Sequence, residues 1–340
     1  MEANRYSRQT LFPQIGALGQ AKIQKKHVLI IGAGALGSGS AEMLVRAGVG
    51  KLTIIDRDYV ELSNLQRQQL YTEEDANEKV PKAIAAEKRL KAINTEAVIT
   101  PIVAEATKEL VEEYLEAADL LIDATDNFET RMLLNDLALF HQTPWIYGAC
   151  VGSSGMCFTI IPEETPCLHC LLHTLPVQGM TCDTVGIIAP AVQMVVSHQV
   201  TEALKILVED RQALRGSLFH FDLWTNEYSN MKVSRAKNPS CQTCGTNRIY
   251  PFLRGENRTK TAVLCGRDTV QIRPPKQKKL SLNKLAASLK QNGYHVKANP
   301  FLLSVEMDGN RIVLFEDGRA LVHNTKDTVF ARSLYDKLLG

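Results

Sequence analysis

HVLIIGAGALGSGSAEMLVRAGVGKLTIID, residues 27–56, decides the architecture. The run from His27 to Ile31 is almost wholly apolar, as a strand covered on both faces must be. Gly32, Gly34 and Gly37 follow in G-x-G-x-x-G order. The first two permit a tight turn and close backbone approach, and the third lets a helix pack against the strand. Ala41, Leu44 and Val45 then recur at helical spacing, and KLTIID is a second apolar strand closed by Asp56. A helix opening on glycines attracts phosphate, and a carboxylate ending the next strand can accept ribose hydroxyls. A nucleotide site is the functional reading of Gly32, Gly34, Gly37 and Asp56; service to the fold alone is the bland one.

The same alternation continues outward. A charged helix is expected from about Lys82 to Ile93, a strand at VITPIVA, another at ADLLIDATDN ending in a polar turn, and a fifth at TPWIYGACVG. Strands alternating with helices mean a mostly parallel, Rossmann-like α/β sheet with flanking helices. GMCFTIIP suggests an antiparallel continuation, residues 188–208 a long, mostly apolar helix with Glu202 and Lys205 on a solvated edge, and GSLFHFDLW a further strand. After Tyr250 the pattern shifts to short strands, a PPKQKK turn, an amphipathic helix at LSLNKLAASLKQNG and a last helix over about residues 327–338. The expected division is therefore 1–250 for the large domain and 251–340 for a small C-terminal α+β domain.

At 340 residues, with a formal charge of +2, the chain offers no charge block suited to nucleic acid or a membrane surface. MEANRYSRQTLF lacks an export pattern, and a cytoplasmic location is expected. In that reducing setting the 8 cysteines read as thiols or metal ligands rather than disulfides. CLHC and CQTC place Cys167, Cys170, Cys241 and Cys244 in two short turns. That spacing suits tetrahedral Zn2+ with no open position, a structural site; redox pairs are the alternative. His169 reads as a bystander. Cys150, Cys157 and Cys265 read as core residues, His198 as a hydrogen-bonded core histidine, Arg131 as a local ion-pair partner, and Trp145 and Trp224 as packing.

DRDYVELSNLQRQ brings Asn64, Arg67 and Gln68 into one polar loop, and Lys82 opens the next helix. Cations there can neutralise a triphosphate; by composition alone the surface reading is the favoured one. Asp123 and Asp126 in DATDN add strand-end carboxylates able to hold Mg2+ against phosphates, one of them serving to cap the turn.

RYSRQ, GAGALG, DRDYVELSNLQRQ, Pro81-Lys82, DATDN and the two CxxC pairs, in that order over residues 5 to about 250, resemble the ThiF/MoeB/HesA family of sulfur-carrier adenylyltransferases, relatives of ubiquitin-activating enzymes. The C-terminal domain resembles that of some bacterial members, and no rhodanese domain follows. The resemblance implies ATP as substrate, with Gly34, Asp56, Asn64, Arg67, Lys82 and Asp126 contacting ATP and Mg2+. It implies a homodimer, with Arg8 reaching the neighbouring subunit's phosphates, and assigns the four paired cysteines to structural zinc. Cys182 resembles a cysteine used by some members in persulfide or thioester-like transfer; an inert loop thiol is the alternative. The expected reaction is adenylylation of the C-terminal glycine carboxylate of a ubiquitin-like sulfur carrier ending in Gly-Gly, ThiS-like or MoaD-like, with pyrophosphate released, in thiamine or molybdenum cofactor biosynthesis. A sulfurtransferase or cysteine desulfurase would be a further partner. The carrier tail is expected near YGACVGSSG, where Gly148, Gly152 and Gly155 permit close backbone approach or merely relieve crowding. Rival readings are an NAD-dependent oxidoreductase and a noncatalytic zinc-stabilised binding protein.

Overall fold

Every residue of β1 (His27–Ile31) is buried, because it lies inside a sheet clothed on both faces. The computed structural model describes residues 5–174, 185–253, 261–263, 268–273, 280–307 and 309–339. Beside β1 run β2 (Lys51–Asp56), β3 (Val98–Val103), β4 (Leu120–Asp123) and β5 (Trp145–Val151), all parallel. Then β6 (Ser154–Ile160), β7 (Leu218–Asp222) and β8 (Glu227–Met231) extend the sheet antiparallel. The order β3-β2-β1-β4-β5-β6-β7-β8 reverses direction between β1 and β4, and the carboxyl ends of those two strands frame the crevice where open α/β sheets bind ligands.

Among the described residues the α-helices of this unit are α1 (Gly16–Ile23), α2 (Ala35–Ala47), α3 (Glu73–Asn77), α4 (Lys82–Ile93), α5 (Lys108–Leu115), α6 (Phe128–Phe140), α7 (Leu168–Thr174) and α8 (Ala189–Leu207). Strand alternation sorts them into layers. Val28, Ile30, Leu52, Ile54, Leu120 and Ile122 face one core with α2, α4 and α8. Leu29, Ile31, Ile55 and Leu121 face the other, with α5, α6, α7 and the four paired cysteines.

Two local expectations change. Glu202 is fully buried rather than on a solvated edge: its carboxylate accepts from Thr159 Oγ1 at 3.0 Å, Lys205 Nζ at 2.6 Å and the Arg215 N–H at 3.1 Å. Trp145 is buried as expected, but Trp224 is 79% exposed on the turn between β7 and β8. His198 accepts from Arg215 at 2.7 Å, in keeping with its bland reading.

The second unit is a six-stranded antiparallel sheet of β9 (Thr261–Val263), β10 (Thr269–Ile272), β11 (Val296–Ala298), β12 (Leu302–Met307), β13 (Asn310–Phe315) and β14 (Ala320–His323), in the order β11-β12-β13-β14-β10-β9. Its core is filled by Leu282, Ala286 and Leu289 of α9 (Leu282–Gln291) and by Ala331, Leu334, Tyr335 and Leu338 of α10 (Thr328–Leu339). PPKQKK, Cys182 and Cys265 lie outside the described residues. Among the described residues no helix is long and apolar enough to cross a membrane.

Candidate active site and metal centre

The three motif glycines have separate reasons. Gly32 has φ +95° and donates its N–H to Ile55, and a Cβ there would stand 2.5 Å from the Ala124 carbonyl oxygen. A Cβ on Gly37 would lie 1.9 Å from the Gly32 oxygen, so the start of α2 can sit against the loop only without a side chain. Gly34 differs: its φ is −75°, and a Cβ would meet nothing nearer than Gln68 Nε2 at 3.9 Å. Packing does not demand glycine there; its missing side chain keeps the loop face open.

Hydrogen bonds then bind the neighbouring loops to this one. Asp56 accepts the Ala33 N–H and the Asp58 N–H, each at 2.6 Å, and Tyr71 donates to the Ala33 carbonyl at 2.5 Å. Burial pushes the Asp56 carboxyl up from its ordinary value, with Lys82 opposing and Asp58 adding to the rise. Lys82 is buried at the start of α4; its N–H bonds the Asp58 carbonyl at 2.8 Å and its Nζ lies 3.6 Å from Asp58 Oδ2. Asn64 is buried and accepts the Glu61 N–H at 3.2 Å, shaping the turn that carries Arg67, whose Nη1 donates to the Ser63 carbonyl at 3.0 Å. Gln68, in the same loop, is buried, and its Oε1 has no hydrogen bond among the described residues.

The two carboxylates of DATDN divide their work. Asp123 is fully buried and fixed, accepting from Thr125 N–H at 2.9 Å, Thr125 Oγ1 at 2.7 Å and Arg131 Nε at 3.0 Å. Burial raises its carboxyl, with Arg131 opposing. Asp126 is exposed and makes no hydrogen bond or ion pair among the described residues, which suits a carboxylate that shares Mg2+ with phosphates. Gly32, Gly34, Gly37, Asp56, Asn64, Arg67, Lys82 and Asp126 thus gather around the carboxyl ends of β1, β2 and β4. Arg8 is exposed in the N-terminal turn, with no hydrogen bond joining it to that set, and Cys182 is outside the described residues.

Cys167, Cys170, Cys241 and Cys244 are buried with their sulfurs all within 4.8 Å of one another; the Cys167–Cys241 and Cys170–Cys244 separations are 3.6 and 3.4 Å. A tetrahedron with Zn–S of about 2.3 Å has edges of about 3.8 Å, so the donor set and its size fit zinc. The ring of His169 stands beside Cys241, outside this set. Two residues missed in the sequence hold the two turns together: Asn135 Oδ1 accepts the Leu168 N–H at 2.8 Å, and Asp136 accepts Thr243 Oγ1 at 2.7 Å and the Phe252 N–H at 2.8 Å. An Asn-Asp pair inside the apolar run MLLNDLALF was the available signal.

Gly148 and Gly155 are explained by crowding. A Cβ on Gly148 would lie 2.4 Å from Gln199 Nε2, and one on Gly155 would lie 2.5 Å from Val195, both on α8. Gly152 has φ +61°, and its carbonyl accepts the Ile188 N–H at 3.0 Å.

Residues 6–243 match the ThiF family. A sulfur carrier protein ThiS adenylyltransferase of Bacillus subtilis (strain 168) is 54% identical over 338 residues, spanning 99% of both chains. A molybdopterin-synthase adenylyltransferase of Salmonella typhimurium is 34% identical over 72% of this chain and 97% of its own. Among solved structures, that of E. coli MccB with ATP superposes with a TM-score of 0.62 at 22% identity, over 71% of this chain and 74% of that one, a likeness of fold.

Proposed function

The chain belongs to the ThiF family of sulfur-carrier adenylyltransferases, and from that premise we infer that it uses ATP to adenylylate a ThiS-like carrier protein. The observation that carries the choice of carrier is the 54% identity to the Bacillus subtilis enzyme over 99% of both chains, the C-terminal unit included. A MoaD-like carrier, in molybdenum cofactor biosynthesis, is the second reading, supported by the molybdopterin-synthase relative.

The carrier's terminal glycine carboxylate attacks the α-phosphorus of ATP, forming an acyl-adenylate and releasing pyrophosphate. The attacking carboxylate is already ionised, so no general base is required; positioning and charge neutralisation supply the rate. The glycine loop leaves room for phosphate beside Gly34, with Gly32 and Gly37 closing helix against strand. Asp56 accepts ribose hydroxyls with lone pairs that its two backbone bonds leave over. Asn64 holds the turn that presents Arg67, and Arg67 and Lys82 neutralise the phosphates. Asp126 would hold the magnesium, which when bound draws negative charge from the triphosphate. Arg8 completes the phosphate contacts of the neighbouring subunit in a homodimer, a role that its exposure leaves it free to fill. Cys182 takes part in the later transfer of sulfur, for which a cysteine desulfurase or sulfurtransferase would be the donor. Zinc would sit on Cys167, Cys170, Cys241 and Cys244 and tie the two CxxC turns to each other, beside the hydrogen bonds that Asn135 and Asp136 of α6 make to them. We take residues 1–250 as the adenylation domain, 251–340 as an appended α+β domain, and the cytoplasm as the site of action.

Carrier-dependent exchange of labelled pyrophosphate into ATP tests this reading. Exchange with the intact carrier, and none with a carrier lacking its terminal Gly-Gly, is expected. Exchange that ignores the carrier, or none with zinc-loaded folded protein and either carrier, would overturn it.

A further inference from the structure

Arg131, in the first turns of α6, spends its guanidinium on the turn that carries Asp126. Its Nε donates to Asp123 Oδ2 at 3.0 Å, and its Nη2 to the carbonyls of Thr125 at 2.5 Å and Gly148 at 3.3 Å. The guanidinium carbon lies 5.3 Å from the centroid of the Tyr147 ring. On the opposite face of the sheet, Gln199 Nε2 donates to the Asp123 carbonyl at 3.0 Å and the Ile146 carbonyl at 3.5 Å. The carboxyl ends of β4 and β5 are therefore clamped from both layers. On the other side of Asp126, Asn127 Oδ1 accepts the Thr130 N–H at 3.0 Å and caps α6. Asp126 stands between two pinned residues and has no hydrogen bond of its own among the described residues. The turn sets where it stands, with the Arg57 and Arg131 charges near enough to act on it.

We infer that Arg131 is a positioning residue for adenylylation, fixing the 123–127 turn so that the Asp126 carboxylate faces the metal of the bound nucleotide; this rests on the assignment of Asp126 made above. A buried ion pair is often no more stabilising than an apolar pair of similar volume. What the Arg131 fork adds is direction, since one planar group holds three acceptors in fixed relation.

Three variants test it: Asp126→Asn, Arg131→Lys and the pair Asp123→Asn with Arg131→Gln, which removes both buried charges while keeping amide hydrogen bonds. ATP affinity is read by calorimetry at limiting and at saturating magnesium, with melting temperature alongside. Asp126→Asn removes the magnesium-dependent part of the affinity. Arg131→Lys and the paired variant bind ATP about 10- to 100-fold more weakly at limiting magnesium, as loss of a residue that orients a metal ligand does, and recover as magnesium is raised. Lower melting temperatures with wild-type magnesium dependence in both would make Arg131 purely structural and sink the inference. An unchanged magnesium dependence in Asp126→Asn would instead remove the assignment of Asp126, and the positioning role with it.

Discussion

A methyl group placed at Gly34 should separate binding from folding. With nothing closer than Gln68 Nε2 at 3.9 Å, a Cβ there meets no hard obstacle, so Gly34→Ala should cost clearly less stability than Gly37→Ala. The methyl would occupy the loop face that the phosphates approach, and a displacement of about 1 Å there is enough to cost about 100-fold in rate. Gly37→Ala is the internal control. Its Cβ would lie 1.9 Å from the Gly32 carbonyl oxygen and 2.8 Å from its carbon, backbone atoms that cannot swing aside. Overpacking of that kind costs about 3 kcal/mol, a fall of about 6–12 °C in Tm for a unit of this size. Thermal melting, calorimetric titration with magnesium-ATP and carrier-dependent pyrophosphate exchange read stability, affinity and rate on each variant. Gly34→Ala that melts as wild type and binds ATP at full strength would refute the reasoning, as would a melting loss equal to that of Gly37→Ala.

Cys241→Ser should lose stoichiometric zinc, read by elemental analysis, and several kcal/mol of stability, because one buried ligand of four is replaced by a poorer one. Unchanged melting would show that the cluster does not bind metal in solution. Cys157 is fully buried and its thiol is pushed up to about 12 by that burial, so iodoacetamide at pH 8 should leave it unmodified in folded protein and label it after unfolding; labelling of the folded protein, seen by mass spectrometry, would contradict the core packing. The hydroxyls of Ser154 and Ser153 hold Asp222 down from 3.8 to about 2. The stability it contributes is thus present above pH about 4 and lost as pH falls through about 2. An NMR titration of its carboxyl with a midpoint near 4 would show those bonds absent.

Much of this was legible because periodicity and glycine spacing report on backbone geometry. The run His27–Ile31, the glycine turn and Asp56 lie within one strand-turn-helix-strand unit, where local sequence dictates local contact. The two CxxC pairs announced themselves by ligand chemistry, although a separation of 74 positions between Cys167 and Cys241 hid that they meet. What stayed hidden depends on side chains brought together by the sheet. Arg131 reaches Gly148 only because β4 and β5 are neighbours, and Asn135 and Asp136 reach the cysteine turns only because α6 lies beneath them. Glu202 read as solvated because periodicity cannot show that Thr159, Lys205 and the Arg215 N–H converge on it. Gly148 and Gly155 read equally as a peptide groove or as relief of crowding, and only the positions of Gln199 and Val195 supply the second reason.

Every role assigned to the site residues depends on this chain activating a carrier's C-terminal carboxylate with ATP. The most direct measurement mixes the purified, zinc-loaded protein with ATP, magnesium and a ThiS-like or MoaD-like carrier ending in Gly-Gly, then reads the carrier's intact mass and the pyrophosphate released. An AMP-sized mass gain on the carrier with pyrophosphate released alongside is expected, the ThiS-like carrier ahead of the MoaD-like one. ATP bound by folded protein, with neither carrier gaining mass and no carrier-dependent pyrophosphate, would contradict it.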